Sequence, residues 1–430
     1  MKKVLAGLLC FGWLFCDELE LVIDTKNYQA MPLLVVLDET VASEIQQVVS
    51  HYVSSLLGAT QQFKVVQRTM KEPKKKQELR KLADEGFPLA LFFSDDRHDM
   101  TWRLYDLMSG ELIKGKKCKR KNLSDVQWSI IIAEEIWPLL TSQEGSFSSL
   151  IAASKQSLNK SKRPGRDLYL IHPFLSAEKF SPICIVKRGN NFAPRWHCHK
   201  SVIFYSQHTL VNVRLMSVDS NHISRIITSF EGQNMTPAIS SKGRVVLALS
   251  SSQHTQLYEY IYDQEDHKGR FVRLTREMGD FISPSFLTED KIVFCYIDVN
   301  NRPKLGVLDL KAKKIQWLSV GSALCPAVNP VAHQIAFCKK VNGIYQLFSY
   351  DLDSQEERQL TKGAGHKDEC SWSPCGNYIT CSVEQGDDSR IGLLDVNTLV
   401  MRYLTPRNEQ WAYPSWSGRL KVPFSYVKSA

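Results

Sequence analysis

His197-Cys198-His199 is the one run in this chain whose residue types suit a metal ion. Successive side chains on a strand point to opposite faces, so His197 and His199 can share a face while Cys198 turns away. Two imidazoles do not complete a tetrahedral shell, and no C-x-x-C pair stands elsewhere to finish it. The plainer reading is a polar strand end. Three further patterns are absent: a G-x-S-x-G nucleophile elbow, a Walker phosphate loop and a dinucleotide fingerprint. Catalysis would need histidines and acidic residues converging from distant parts of the chain, with His197, His199 and His366 as candidates. No residue is assigned as catalytic or as a metal ligand, and no cofactor is expected.

The thiols are the second candidate chemistry. Of eleven cysteines, nine lie beyond Cys16, an odd number that leaves at least one without an internal partner. In Cys370-Ser-Trp-Ser-Pro-Cys375-Gly-Asn-Tyr-Ile-Thr-Cys381 a symmetric turn at Ser373–Gly376 sets Cys370 opposite Cys381. Opposed strand positions come close enough to bridge, so this pair is a possible disulfide. Cys325 and Cys338 stand one step outside the corresponding pair. The alternative is that all four are small apolar filler.

Charge offers two basic runs, Lys114–Lys121 and Lys74-Lys75-Lys76, in a chain of formal charge +9. Neither is interleaved with aromatic residues, which argues against nucleic acid. Each reads as a solvated face or as a surface for an acidic or phosphate-bearing partner.

The elements that position these groups recur. The hairpin at Cys370 has relatives opening at Pro194, Pro237, Pro284, Pro326 and Pro414, spaced by 43, 47, 42, 44 and 44 residues along the series. Most copies continue into an apolar strand, such as Val202–Tyr205 or Lys291–Phe294. A third strand follows, closing on an acidic turn such as Tyr350-Asp351-Leu352, and then a short fourth. Four short strands in every 40 or so residues is the signature of a β-propeller, here with six blades. The last anchor leaves too little chain for its own outer strands. Asp167–Ile171 and Ile183–Val186 are expected to supply them and close the ring.

Before the repeats, the order reads β-α-β-α-β-β-β-α. Met31–Leu37 is a buried strand. Val41–Leu57 has apolar residues at three- and four-residue steps. Ser124 and Gln127 form a capping box for a last helix facing inward with Val126, Ile130, Ala133, Ile136 and Leu140. The basic start Met1-Lys2-Lys3 and the apolar run Val4–Phe15 read as a secretory signal peptide. The expected organisation is a signal peptide over 1–16, an α/β domain over 17–142, a linker over 143–166 with a short helix near Ser149–Ser157, and a six-bladed β-propeller over 167–430. The loops before each anchor gather at the channel mouths, where a rigid scaffold presents binding residues.

The repeat pattern Pro-x-Trp-Ser-Pro-x-Gly-x-x-Ile-Ala-Phe, closest at Cys370–Cys381 and Pro326–Phe337, resembles that of the TolB family of the Tol-Pal envelope system. The order of signal peptide, small α/β domain and propeller is similar too. Departures exist: Cys370 and Cys375 replace the usual Pro and Asp, and the third copy lacks the turn glycine. The resemblance implies a non-enzymatic, monomeric periplasmic protein, exported by a cleaved signal peptide and peripheral to the envelope membranes, with no nucleic-acid partner. It implies binding of the peptidoglycan-associated lipoprotein Pal at one channel mouth and of TolA by the mature N-terminus, in support of outer-membrane integrity and envelope constriction during cell division. Carried over by position, Asp17, Glu18, Leu19, Glu20, Leu21, Val22, Ile23 and Asp24 form the TolA segment. Gln233, Thr236, Asp280, Ile282, His366 and Glu369 form the lipoprotein face. The competing expectation is a secreted β-propeller lyase or hydrolase with its active site at the channel mouth.

Overall fold

A computed structural model describes residues 29–39, 44–96, 99–119, 123–158, 164–197, 201–229, 237–250, 254–263 and 268–420. The first eight strands and three helices are β1 (Met31–Leu37), α1 (Glu44–Ala59), β2 (Phe63–Thr69), α2 (Lys76–Asp84), β3 (Leu89–Asp96), β4 (Asp99–Asp106), β5 (Glu111–Lys119), α3 (Asp125–Thr141), β6 (Ile151–Leu158), β7 (Pro164–Ile171) and β8 (Ile183–Val186). The first five strands form one sheet in the order β2-β1-β3-β4-β5. β1 runs parallel to β2 and β3, and β3, β4 and β5 are antiparallel neighbours.

Both faces of β1 are buried, so it reads as one continuous apolar run. Leu33 and Val35 join one core while Leu34 and Val36 pack with Leu79 and Leu82 of α2 in another. α1 turns Val49, Val53, Leu56 and Leu57 inward, the i, i+4, i+7, i+8 stripe of an amphipathic helix. Ser124 and Gln127 make the reciprocal capping box that starts α3. α3 buries more than the expected face: Trp128, Ile132 and Trp137 are covered as well as Ile130, Ala133 and Ile136. A helix wedged between its own domain and a second one needs an apolar surface nearly all round.

Five antiparallel four-stranded sheets follow in sequence. Their strands are β9 (Asn191–Trp196), β10 (Val202–His208), β11 (Val213–Asp219), β12 (Ser224–Thr228); β13 (Ala238–Ile239), β14 (Val245–Ser250), β15 (Thr255–Asp263), β16 (Lys268–Arg273); β17 (Asp280–Thr288), β18 (Lys291–Ile297), β19 (Pro303–Asp309), β20 (Lys314–Trp317); β21 (Ala323–Val328), β22 (Gln334–Val341), β23 (Ile344–Asp351), β24 (Glu357–Gln359); and β25 (His366–Trp372), β26 (Tyr378–Gln385), β27 (Asp388–Asp395), β28 (Met401–Tyr403). The sixth sheet joins β29 (Trp411–Trp416) to β6, β7 and β8.

The ring therefore closes with the strands expected from 167–171 and 183–186, plus one more. β6 falls inside the stretch read as a linker, and the short helix expected near Ser149–Ser157 is this strand. Its buried side chains Ile151, Ala152 and Ala153 serve two cores, which a Ser- and Lys-rich composition obscured.

Five of the six inner strands carry the same irregularity among the described residues. Ala193, Ser283, Cys325, Glu369 and Tyr413 have left-handed backbones, with φ of 46°, 50°, 52°, 49° and 56°. Each directly precedes an anchor, and the pairing register shifts across all five. Four of the five precede a proline, which disfavours the right-handed helical conformation at the residue before it, and Glu369 takes the same bulged form before Cys370. All five residues line the central channel.

The bulge also decides the thiol question. Cys370 and Cys381 are both free, so the possible bridge is not made and the filler reading applies. The register shift between Asp368 and Ser371 breaks the symmetric pairing. It turns Cys370 toward the neighbouring inner strand, where its thiol donates to the Cys325 carbonyl oxygen at 3.6 Å. Cys325 and Cys338 are free as well, so the cysteines here act as buried filler.

Candidate functional site

In an antiparallel four-stranded meander the first and third turns lie at one end, and the second turn and the exit lie at the other. The propeller thus has two faces. One carries the anchor turns, and the N-terminal domain sits there against the fifth and sixth blades. The Cys375 amide donates to Ser146 Oγ at 3.2 Å, Asn377 donates to Gln143 at 2.6 Å, and the Tyr378 hydroxyl donates to the Thr60 carbonyl oxygen at 3.4 Å. Arg402 donates to the Pro173 carbonyl oxygen at 2.7 Å and Arg419 to that of Gly145 at 2.7 Å.

Beneath these polar contacts runs a ladder of aromatic rings. Phe63 meets Trp137 at 5.8 Å, Trp137 meets Phe147 at 5.3 Å, Phe147 meets Phe174 at 5.2 Å, and Phe174 meets Tyr378 at 5.4 Å. His172 is buried beside it. Its Nε2–H donates to the Phe147 carbonyl oxygen at 2.9 Å, and its Nδ1 accepts from the amides of Phe174 and Leu175. Burial, helped by the nearby Arg402 charge, holds its pKa down to about 3.

The opposite face carries the loops that precede the anchors. Of the residues carried over to it, Gln233 and Thr236 lie outside the described residues, as do Asp17–Asp24. Asp280 is a brace, its carboxylate accepting from the Thr255 amide at 2.6 Å. His366 Nδ1 accepts from the Tyr345 amide at 3.2 Å. Ile282 is partly buried against its blade's core. Glu369 points into the channel, 3.7 Å from Arg195 of the first blade and 3.8 Å from the Cys325 thiol. The four described positions therefore do not form one surface patch.

What stands out on this face are exposed apolar side chains, none of them among the six residues carried over to it. Leu210 and Val211 in the β10–β11 turn are 98% and 92% exposed, and Met278 and Val299 are also exposed. A Leu-Val pair inside a tight turn was the available signal, because turns seldom hold two adjacent branched apolar residues.

The mouth of the channel on this side is densely charged. Lys367 Nζ donates to the carbonyl oxygens of Lys362, Gly363 and Ala364, at 3.3, 3.3 and 2.6 Å, pinning the loop before the fifth inner strand. Burial, with Glu369 and Glu384 adding, pushes the Asp368 carboxyl up to about 7. The Arg166 guanidinium lies over the rings of Phe192 and Tyr413 at 5.5 and 5.9 Å. The channel encloses about 790 Å³. His197 follows the end of β9 on the anchor-turn face, whereas His366 opens β25 on the opposite face. His197 and His366 thus do not converge, and Cys198 and His199 lie outside the described residues.

Comparisons with known proteins agree with this architecture. The family model described as the TolB beta propeller domain matches residues 139–420. The Tol-Pal system protein TolB of Gluconobacter oxydans is 29% identical over 107 residues. That match covers 24% of this chain and 24% of the relative, so only about a quarter of the relative's length is aligned. The crystal structure of TolB from Acinetobacter baumannii superposes with a TM-score of 0.74 at 17% identity, over 91% of this chain and 97% of that one. The hydrazine synthase of Kuenenia stuttgartiensis superposes with a TM-score of 0.53 at 10% identity, over 66% and 48% of the two chains. At these identities the structural likenesses speak to the fold alone.

Proposed function

This chain belongs to the TolB β-propeller family, and from that premise we propose that it is a non-catalytic protein-binding component of a Tol-Pal envelope system. In this reading the chain is exported to the periplasm by a cleaved signal peptide. The propeller holds the lipoprotein Pal on the face opposite the N-terminal domain, and the mature N-terminus, Asp17–Asp24, engages TolA. The observation that carries the reading is the open face itself. It presents Leu210, Val211, Met278 and Val299 around a charged channel mouth, the mixture of apolar anchors and polar rim that protein interfaces use. The mechanism is competitive tethering: lipoprotein held by the propeller is withheld from peptidoglycan. Engagement of the N-terminus then shifts that equilibrium only if the two states of the segment differ in affinity for the lipoprotein.

Purified lipoprotein and the soluble domain of TolA, each titrated against the full chain, test this. Leu210→Lys with Val211→Lys is expected to weaken lipoprotein binding at least tenfold and leave TolA binding unchanged. Deleting Asp17–Asp24 is expected to do the reverse. Lipoprotein affinity unchanged by the double substitution would remove this face from the proposal.

A further inference from the structure

We propose that the free edge of β5 is a docking edge for an acidic, extended strand of a partner protein, added as a sixth strand to the N-terminal sheet. Among the described residues β5 ends the sheet order, so only one of its sides is hydrogen-bonded there, to β4. The other side presents main-chain donors and acceptors to solvent, a ready template for another strand. Glu111 through Lys117 are exposed without interruption. Side chains alternate across a strand, so exposure of all seven means that neither face of this stretch is covered, although Lys116 reaches Glu135 of α3 and Glu111 reaches Lys76 of α2.

The chemistry of the edge selects its occupant. Lys114 and Lys116 lie on the face of Leu104 and Trp102, and Lys117 and Lys119 on the face of Thr101 and Asp99. Lys116 pairs with Glu135 at 2.5 Å and Lys117 with Asp99 at 3.4 Å, whereas Lys114 and Lys119 have no acidic partner among the described residues. A second copy of β5 would bring lysine rows against lysine rows and is repelled. A strand alternating acidic and apolar residues sets its carboxylates against the lysines of one face and its apolar side chains on the other face, beside one of Leu112 and Ile113, which are 51% and 44% exposed. Lysines on an edge also serve simply to prevent aggregation, but that role leaves the two exposed apolar residues beside them unexplained. An anionic membrane would satisfy the lysines and not the unpaired main chain. The proposal is independent of the lipoprotein and TolA assignments.

The test uses the full chain and a fluorescent nonapeptide alternating Glu and Val. Anisotropy is expected to report binding, and hydrogen exchange to slow at the amides of Glu111–Lys119. Lys114→Glu with Lys119→Glu, both outside the cores, is expected to lower affinity at least tenfold while the melting temperature holds within a few degrees. The same peptide N-methylated at alternate residues keeps its charge but cannot complete a ladder, and is expected not to bind. Equal binding of the N-methylated peptide, or affinity unchanged by the double substitution, would overturn the proposal. So would binding to phosphatidylglycerol vesicles without binding to the peptide.

Discussion

Two buried titratable residues respond to pH in opposite directions along the scale. Asp368 has a folded pKa of about 7 because burial, then Glu369 and Glu384, disfavour its charge. The unfolded chain loses that proton near the ordinary carboxylate value of about 4. Stability is therefore fully present below about pH 4 and falls as pH rises toward 7, with nothing further lost above. Asp368→Asn is expected to stabilise the chain at pH 8 by about 1–3 kcal/mol, allowing for partial solvent screening, and to change little at pH 4. Urea unfolding at the two pH values measures this, and equal stability of variant and parent at pH 8 would refute it. His172 works at acid pH. Its folded pKa of about 3 lies below the unfolded value, so its contribution is present above about pH 6.5 and is lost as pH falls toward 3. His172→Ala leaves the Phe147 carbonyl and the amides of Phe174 and Leu175 without their buried partner. A cost of about 2–4 kcal/mol at pH 7 is expected, read as a lowered urea midpoint.

At the scale of the element, neighbouring blades are stitched along their inner strands by the anchor tryptophans. Trp372 Nε1 donates to the Ala327 carbonyl oxygen at 3.1 Å, and Trp196 Nε1 donates to that of Ser415 at 3.0 Å. Ser371 Oγ accepts from the Trp416 amide at 2.9 Å, one blade further on. Trp372→Phe keeps most of the ring's burial and removes one hydrogen bond. It is expected to cost about 1–3 kcal/mol, because a buried carbonyl is left unpaired. No change in the unfolding midpoint would reduce Trp372 to filler. These strands were legible in the sequence because a four-strand pattern recurring on one spacing is a collective signal. The element order of the N-terminal sheet was legible for a similar reason: Met31–Leu37 is uniformly apolar and the positions of α1 keep a helical period. β6 was not legible, since its partners β29 and β7 include one more than 250 residues away and its own composition is polar. The bulges escaped because a left-handed residue before an anchor carries no local signature when the residue is Ala, Ser, Cys, Glu or Tyr. At Cys370 the symmetric pairing that a bridge would need holds only without the bulge. The open face was found at the level of its loops and missed at the level of its residues, because loop position is set by topology while exposure is set by packing.

Across the whole molecule, the chain's two halves are joined twice. The aromatic ladder from Phe63 to Tyr378 makes one core continuous between the N-terminal domain and the propeller. β29 then ties the end of the chain back to β6. The Leu150 amide donates to Ser417 Oγ at 2.9 Å and the Ser417 amide to the Leu150 carbonyl oxygen at 2.8 Å, across 267 residues of sequence. A ring closed by its last strand leaves the edge of β6 unpaired until that strand arrives, and such long-range pairing makes folding slow. Trp411 and Trp416 carry buried aromatic surface into the shared core as they close it. A chain ending at Asn408 should therefore lose more than one strand. It is expected to unfold without a single cooperative transition and to bind a hydrophobic dye at neutral pH. A peptide covering Glu409–Leu420, added in excess during refolding, is expected to restore a cooperative transition, because the missing strand is a noncovalent partner in every other respect. Calorimetry of the truncated chain with and without the peptide reads both outcomes. A truncated chain that melts sharply at the parent's temperature would mean that the other five blades close the ring without β29.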